Sequence, residues 1–221
     1  MKWGKLFLIT SIIGLAHPVA MAQIYMTDIN GQVLRENKYV DVQGSPYLDE
    51  AWKPGLLISS KGKAYPNSQV RFDAYGGEVE YQQNEKTFRM NPRELREFKI
   101  LSGSDTLRFK NGFAATNGNT PATYYQVLYD GSVKLLKQLK ISMNESKAYN
   151  SATTTKTFAK QELYFINKSD GSLRRIQRNR KSVLSAFPDK KSELEKASKE
   201  FNASDEAGLV NLIAVADQGA K

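Results

Sequence analysis

The chain has 221 residues, of which 32 are basic and 23 acidic, with no cysteine and a single histidine, His17. Without cysteine it cannot be a disulfide-stapled scaffold or use a thiol nucleophile. Its length supports one domain with a real core or two small ones, and its positive surplus favours anionic partners.

Residues Met1–Lys5 form a short positive region, Leu6–Leu15 an apolar run, and Ala20-Met21-Ala22 a small-x-small site before Gln23. This is the pattern of a secretory signal peptide cleaved between Ala22 and Gln23, with Pro18 ending the apolar helix. The apolar run is about half of the roughly 20 residues that span a bilayer. No later stretch is apolar enough to cross one, so no transmembrane span is expected in the mature chain. Cleavage removes His17, and the chain that remains lacks both histidine and cysteine. The expected location is periplasmic or secreted, where nucleic acid is not an expected partner.

After a lead-in over 23–36, residues 37–178 read as an antiparallel β domain. Four pairs of short apolar runs are each separated by a turn. Lys61-Gly62 lies between Leu56–Ser59 and Lys63–Tyr65, and Gly76-Gly77 between Val70–Ala74 and Glu78–Tyr81. Asp130-Gly131 lies between Tyr124–Tyr129 and Ser132–Leu136, and Asp170-Gly171 between Leu163–Ile166 and Leu173–Ile176. Glycine at these points supplies the positive φ that tight hairpins require. Asn91–Leu95 predicts one helical turn, with Asn91 as cap and Pro92 in the first helical position, leading into a strand at Phe98–Leu101. Two stretches, Gly112–Ala122 and Met143–Lys156, lack aliphatic periodicity and predict irregular loops.

Beyond Arg178 the period becomes helical, over 179–217. Val183, Leu184 and Phe187 define a first helix stopped by Pro188. Leu194, Ala197 and Phe201 share one face of a second. Ser204 is the predicted cap of a third helix, with Asp205 and Glu206 in its first turn and Leu209, Leu212, Ile213 and Ala216 on its apolar face. Residues 218–221 are expected to fray. The fold class predicted is α+β and mainly β: an antiparallel sheet or roll followed by a short helical segment.

The stretch Gly44–Gly55, the run Val70–Tyr75 with Glu78-Val79-Glu80, Asp130-Gly131 with Leu135-Leu136, and Phe187–Lys191 together resemble small exported proteins common in Bacteroidota. The resemblance covers most of residues 37–216. It implies an envelope location in a Gram-negative cell and a β core with a helical end, and it brings no catalytic residue.

The mature chain has no Ser–His–Asp or Cys–His set, no usual zinc ligands and no glycine-rich phosphate cradle, so no cofactor or metal is expected. Ser60-Lys61-Gly62-Lys63 fits S-x-x-K but sits on a turn and lacks the companion motifs. Asp28-Ile29-Asn30-Gly31 is a fragment of a calcium loop without its later acids. Asn144, Asn167 and Asn202 head glycosylation-type triplets that carry no meaning in a bacterial chain.

Carboxylate chemistry survives. Asp49 and Glu50 flank Tyr47 and Trp52, whose rings suit a sugar face, and two acids across a groove are what a glycosidase needs. Glu78 and Glu80 form a second pair, read as the solvent face of an edge hairpin opposite Arg71 or a lysine. The basic run Arg174, Arg175, Arg178, Arg180 and Lys181 crosses the sheet–helix junction and suits an anionic surface, with Asp189, Glu193 and Glu195 as alternative partners. The expected function is a non-enzymatic binding or adaptor module of the envelope, whose partner is an anionic envelope component or another envelope protein. The alternatives are a carboxylate-dependent glycan hydrolase and a peripheral binder of anionic lipid or lipopolysaccharide.

Overall fold

A computed structural model of the chain describes residues 32–33, 38–83, 86–147, 149 and 153–218. The signal segment, its cleavage site at Ala22 and Gln23, His17, the Asp28–Gly31 fragment and residues 219–221 lie outside the described residues. The strands are β1 (Gln32–Val33), β2 (Val42–Gln43), β3 (Lys53–Ser59), β4 (Ala64–Asp73), β5 (Glu78–Gln83), β6 (Lys86–Arg89), β7 (Leu95–Ser102), β8 (Asp105–Lys110), β9 (Tyr125–Asp130), β10 (Lys134–Lys147), β11 (Thr154–Asn167) and β12 (Leu173–Ile176). Three short helices follow, α1 (Arg180–Ala186), α2 (Lys191–Ala197) and α3 (Glu206–Asp217), with a 3-10 turn at Pro188–Lys190 between the first two. The fold is α+β and mostly sheet, as the turn spacing predicts.

All twelve strands join one sheet, in the order β1-β6-β5-β4-β3-β7-β8-β9-β10-β11-β12, with β2 paired to β11. The four predicted hairpins form, as β3–β4, β4–β5, β9–β10 and β11–β12. The Gly76-Gly77 turn places Gly77 at φ 68°, where a side chain would be strained. The pairing at the centre of the sheet has no hairpin behind it: β7 returns past three strands to pair with β3. β3 therefore becomes a central strand, flanked on both sides. Pro66 sits in β4 at a register shift opposite β3, and Asn67 beside it has φ 57°. A bulge is where a strand tolerates a residue without an N–H.

Met143–Lys147 and Thr154–Lys156, expected as parts of an irregular loop, are strand instead. β10 and β11 form a 14-residue antiparallel ribbon paired from Lys134↔Asn167 to Lys147↔Thr154. Inside its outer half Ile141 and Phe158 are still buried, but its tip, Asn144–Lys147 with Thr154–Thr157, is largely exposed. A strand with no core on either side needs no apolar alternation, so its sequence carries no period of two. The ribbon is braced by the chain preceding β3. β2 pairs parallel to Lys156 and Thr157, and Tyr47 bridges to Asp73 of β4. The rings of Tyr39 and Tyr75 lie 5.4 and 5.0 Å from that of Phe158.

Apolar burial falls into three groups. Phe72, Phe98, Phe109 and Tyr124 form an aromatic nucleus with Leu57, Val70 and Tyr81. Tyr125, Leu136, Leu163 and Phe165 form a second group, covered by Phe113 of the Gly112–Ala122 loop, which is irregular as expected. The helices build the third, in which Val183, Leu194, Leu209, Leu212 and Ile213 pack on Leu135, Tyr164 and Ile166. Helices this short are unstable alone, and the sheet supplies their missing partner.

Two helix ends differ from expectation. The cap of α3 is Asp205, not Ser204, because the Asp205 side chain reaches the Gly208 N–H, while Ser204 bonds to Asn202. α2 ends at Ala197, so Phe201 follows the helix and reaches the core from a turn. At the other end of α3, Asp217 accepts from Tyr129 Oη and from the amides of Ser132 and Val133. A carboxylate opposes the helix dipole there, and three hydrogen bonds to the β9–β10 turn offset that cost. Gln218, expected in the fraying end, still donates its amide to the Ala214 carbonyl.

Candidate functional site

β3 begins only at Lys53, opposite Val70, so the last residues of β4, Arg71–Asp73, have no β3 residue beside them. Residues 44–52 fill that gap as a loop, held by hydrogen bonds from the Leu48 amide to Phe72 and from the amides of Ala74 and Tyr75 to Pro46. A cavity of about 210 Å³ remains under the loop, lined by Asp49, Lys53 and Arg71 as well as Val70, Ile100 and Leu107.

The loop brings Tyr47 and Trp52 together through a residue of β4. The Arg71 guanidinium lies 4.0 Å from the Tyr47 ring centre and 4.5 Å from that of Trp52. Cations over aromatic faces are attracted by the ring quadrupole, more so when desolvated. The fork is fixed from below by Glu80, directly across the β4–β5 pair, at 3.0 Å from Nε and 2.7 Å from Nη2. Tyr47 Oη donates to the same carboxylate at 3.4 Å, and both burial and Glu80 push the Tyr47 hydroxyl pKa up.

Glu80 is fully buried and β5 is an inner strand between β4 and β6, which corrects the expectation of a solvent-facing edge pair. Glu78 binds Lys38 and Arg89. Asp73, also fully buried, accepts from Tyr39 Oη at 2.6 Å, Lys38 Nζ at 3.1 Å and the Gly76 amide at 2.8 Å. Burial and the Asp73 bond hold the Tyr39 hydroxyl far above its ordinary range, while the Glu78 and Asp73 bonds outweigh burial and raise Lys38. Nothing local in the sequence marks Lys38, Tyr39 and Asp73 as a unit. They lie 34 and 35 residues apart, and Asp73 shares the outward parity of Arg71 in the alternation.

The two loop acids do not converge. Asp49 accepts from the Ala51 amide and pairs with Lys53 at 3.1 Å, and those two contacts lower its pKa. Glu50 is exposed, and it is its backbone carbonyl, not its carboxylate, that faces Arg71.

The basic run is divided by the fold. Arg174 reaches back to the carbonyl and hydroxyl of Ser185, and Arg178 lies 5.2 Å from the Tyr164 ring. Arg175, Arg180 and Lys181 are exposed and have no ion pair among the described residues. The predicted acidic partners do not reach the run, and Glu193 pairs with Lys190. Charge on β12 also has a structural use, since lysines and arginines deter an edge strand from pairing with foreign chains.

A second charged group crosses the sheet at β7–β10. Arg108 and Lys110 both bind Glu97 and Asp130, and Lys134 binds Asp130 at 2.7 Å. Lys134, then Lys110 and Arg108, hold the Asp130 pKa down to about 2, and the Arg108 and Lys110 contacts overcome burial to lower Glu97. A carboxyl depressed in the fold contributes stability that is complete above its unfolded pKa and is lost as pH falls through the folded one. Denaturant midpoints should therefore decline between about pH 5 and pH 2. Asp130→Asn should remove about 1 kcal/mol of that decline, after solvent screening at this partly exposed site.

No protein-family model matches the chain, and neither curated proteins nor solved structures give a match. Among the described residues no cluster of acids and histidines is arranged to hold a metal ion, and no helix is long and apolar enough to cross a membrane.

Proposed function

We propose that the chain is an exported envelope protein acting as a non-enzymatic binding or adaptor module, with the Tyr47–Arg71–Trp52 face as its recognition surface. The observation that carries this reading is the aromatic–cation–aromatic stack locked onto buried Glu80. It is a pre-organised surface, and ordering it costs nothing when a partner arrives. The contacts of Asp49 with the Ala51 amide and Lys53 support binding over hydrolysis. A glycosidase acid must be held protonated near neutral pH, whereas Asp49 is pushed the opposite way. The signal-like amino terminus and the family resemblance support the envelope location. A second reading, attachment to an anionic surface, draws on the exposed, unpaired Arg175, Arg180 and Lys181.

Trp52 is the only tryptophan left if the signal segment is removed, so its emission reports on this face alone. Titration with peptidoglycan fragments and with lipopolysaccharide should shift that emission without releasing reducing ends or peptides. Turnover of either substrate would overturn the reading, and an emission unmoved by both would remove this face as the binding surface. A lipopolysaccharide response that vanishes at high salt and spares Trp52 would favour the basic run instead.

A further inference from the structure

The two neighbours of β10 are unequal. β11 pairs along its whole length, whereas β9 pairs only with Lys134–Lys137. The chain leading into β9 diverges from β10 at Tyr124, so from Gln138 onward that side of β10 has no backbone partner among the described residues. Such an edge presents alternating N–H and C=O groups to any extended chain brought alongside. Natural edges are commonly blunted by proline, a bulge or lysine, and a lysine repels a cationic chain while attracting an acidic one. Gln138–Lys147 contains no proline, and the one irregularity of the β9–β10 pairing lies upstream, at Leu135/Leu136.

Beside this bare edge lies a cavity of about 330 Å³, walled by Phe72, Tyr75, Tyr124 and the Gln138–Ile141 stretch itself. Its volume falls within the range of ligand pockets, and its wall is mixed, with Thr120, Thr123 and Gln138 beside the aromatic rings, so it admits a small apolar side chain such as valine. The edge is held in position from behind. Phe158, opposite Met143 across the ribbon, is packed by Tyr39 and Tyr75. Charge selects the occupant. Lys140 lines the cavity without an ion pair among the described residues, and Lys147 lies farther along the same edge, also unpaired. The one acid of the segment, Glu145, is engaged by Lys156.

We propose that the bare edge of β10 binds an extended acidic peptide segment of a protein partner by strand addition. The peptide takes the place that β9 vacates, sets an apolar side chain in the cavity and directs a carboxylate to Lys140. Main-chain pairing supplies affinity in this mode, while the cavity and the lysine supply selectivity. This surface is separate from the Tyr47–Arg71–Trp52 face, and the proposal stands whether or not that face binds.

Two seven-residue probes test it, one alternating valine with glutamate and threonine, the other alternating valine with lysine and threonine. Each is titrated into the purified protein while amide hydrogen exchange is followed residue by residue. The acidic probe should slow exchange tenfold or more within Gln138–Ser142, and the basic probe should not. Lys140→Glu should reverse that preference without moving the thermal midpoint. Equal protection by both probes, protection by neither at millimolar concentration, or protection confined to β12 would overturn the proposal. So would protection of the edge that rises with protein concentration alone, which would assign it to a second copy of the chain.

Discussion

Arg71→Ala lowers the stability of the fold by about 3–5 kcal/mol, because it leaves Glu80 as an uncompensated buried charge. Glu80 has no accessible surface, and Arg71 supplies two of its three side-chain hydrogen bonds. Most of that loss is the cost of stranding the carboxylate, so it is not the net worth of the pair. Replacing both partners by apolar residues of similar shape is often neutral or stabilising, and Arg71→Met with Glu80→Met should recover most of what Arg71→Ala loses. Arg71→Lys should fall between. An ammonium can neutralise Glu80, but it cannot form the planar two-point contact or stack between Tyr47 and Trp52. Chemical denaturation of the three variants, followed by Trp52 emission and by far-ultraviolet circular dichroism, separates these terms. The two signals should part company in the double variant, where the fold survives but the stack is gone. A loss below about 1 kcal/mol in Arg71→Ala would mean that Glu80 finds another partner or reaches water, and the recognition face would lose its anchor.

The parts of this architecture legible in the sequence are those written by neighbours in the chain. Lys61-Gly62, Gly76-Gly77, Asp130-Gly131 and Asp170-Gly171 each pair with strands within a few residues, and each hairpin forms. Arg71 and Glu80 could be set opposite each other for the same reason, since a short turn fixes register. What was illegible depends on residues far apart. The burial of Glu80 follows from β6 covering the far side of β5, and that of Asp73 from Lys38 and Tyr39 crossing over it. The β10–β11 ribbon was hidden for a different reason. Strands exposed on both faces carry no apolar alternation, and their pairing is held by backbone bonds that any sequence can make. In the candidate site, Tyr47 and Trp52 were recognisable as a pair of anchors, but the group that joins them belongs to another element.

Gly55→Ala should damage the fold strongly, because the added methyl group has no space in the sheet. Gly55 lies in the middle of the sheet, opposite Ser68 of β4 on one side and Ile100 of β7 on the other. A Cβ there would collide with the Lys99 carbonyl oxygen and stand 2.5 Å from a methyl of Val70. The first obstacle is backbone of the adjacent strand, which cannot rotate away. Relief requires β3 and β7 to separate, and their pairing is the strand ladder that joins the two halves of the sheet. Gly55→Ala should therefore cost about 2–3 kcal/mol, the upper part of the range for overpacking. This holds although alanine is ordinarily favoured over glycine on conformational entropy. Adding Val70→Ala removes the movable obstacle and leaves the carbonyl, while opening a void beside Phe72. The double variant should then be no more stable than Gly55→Ala alone, as read from urea midpoints. Full recovery in the double variant would show that the side chain sets the limit, and that β3 and β7 have room to separate. Because Val70 and Ile100 also line the cavity under the 44–52 loop, the same variant should shift Trp52 emission in the folded state. That response would tie the packing of the central strand to the geometry of the recognition face.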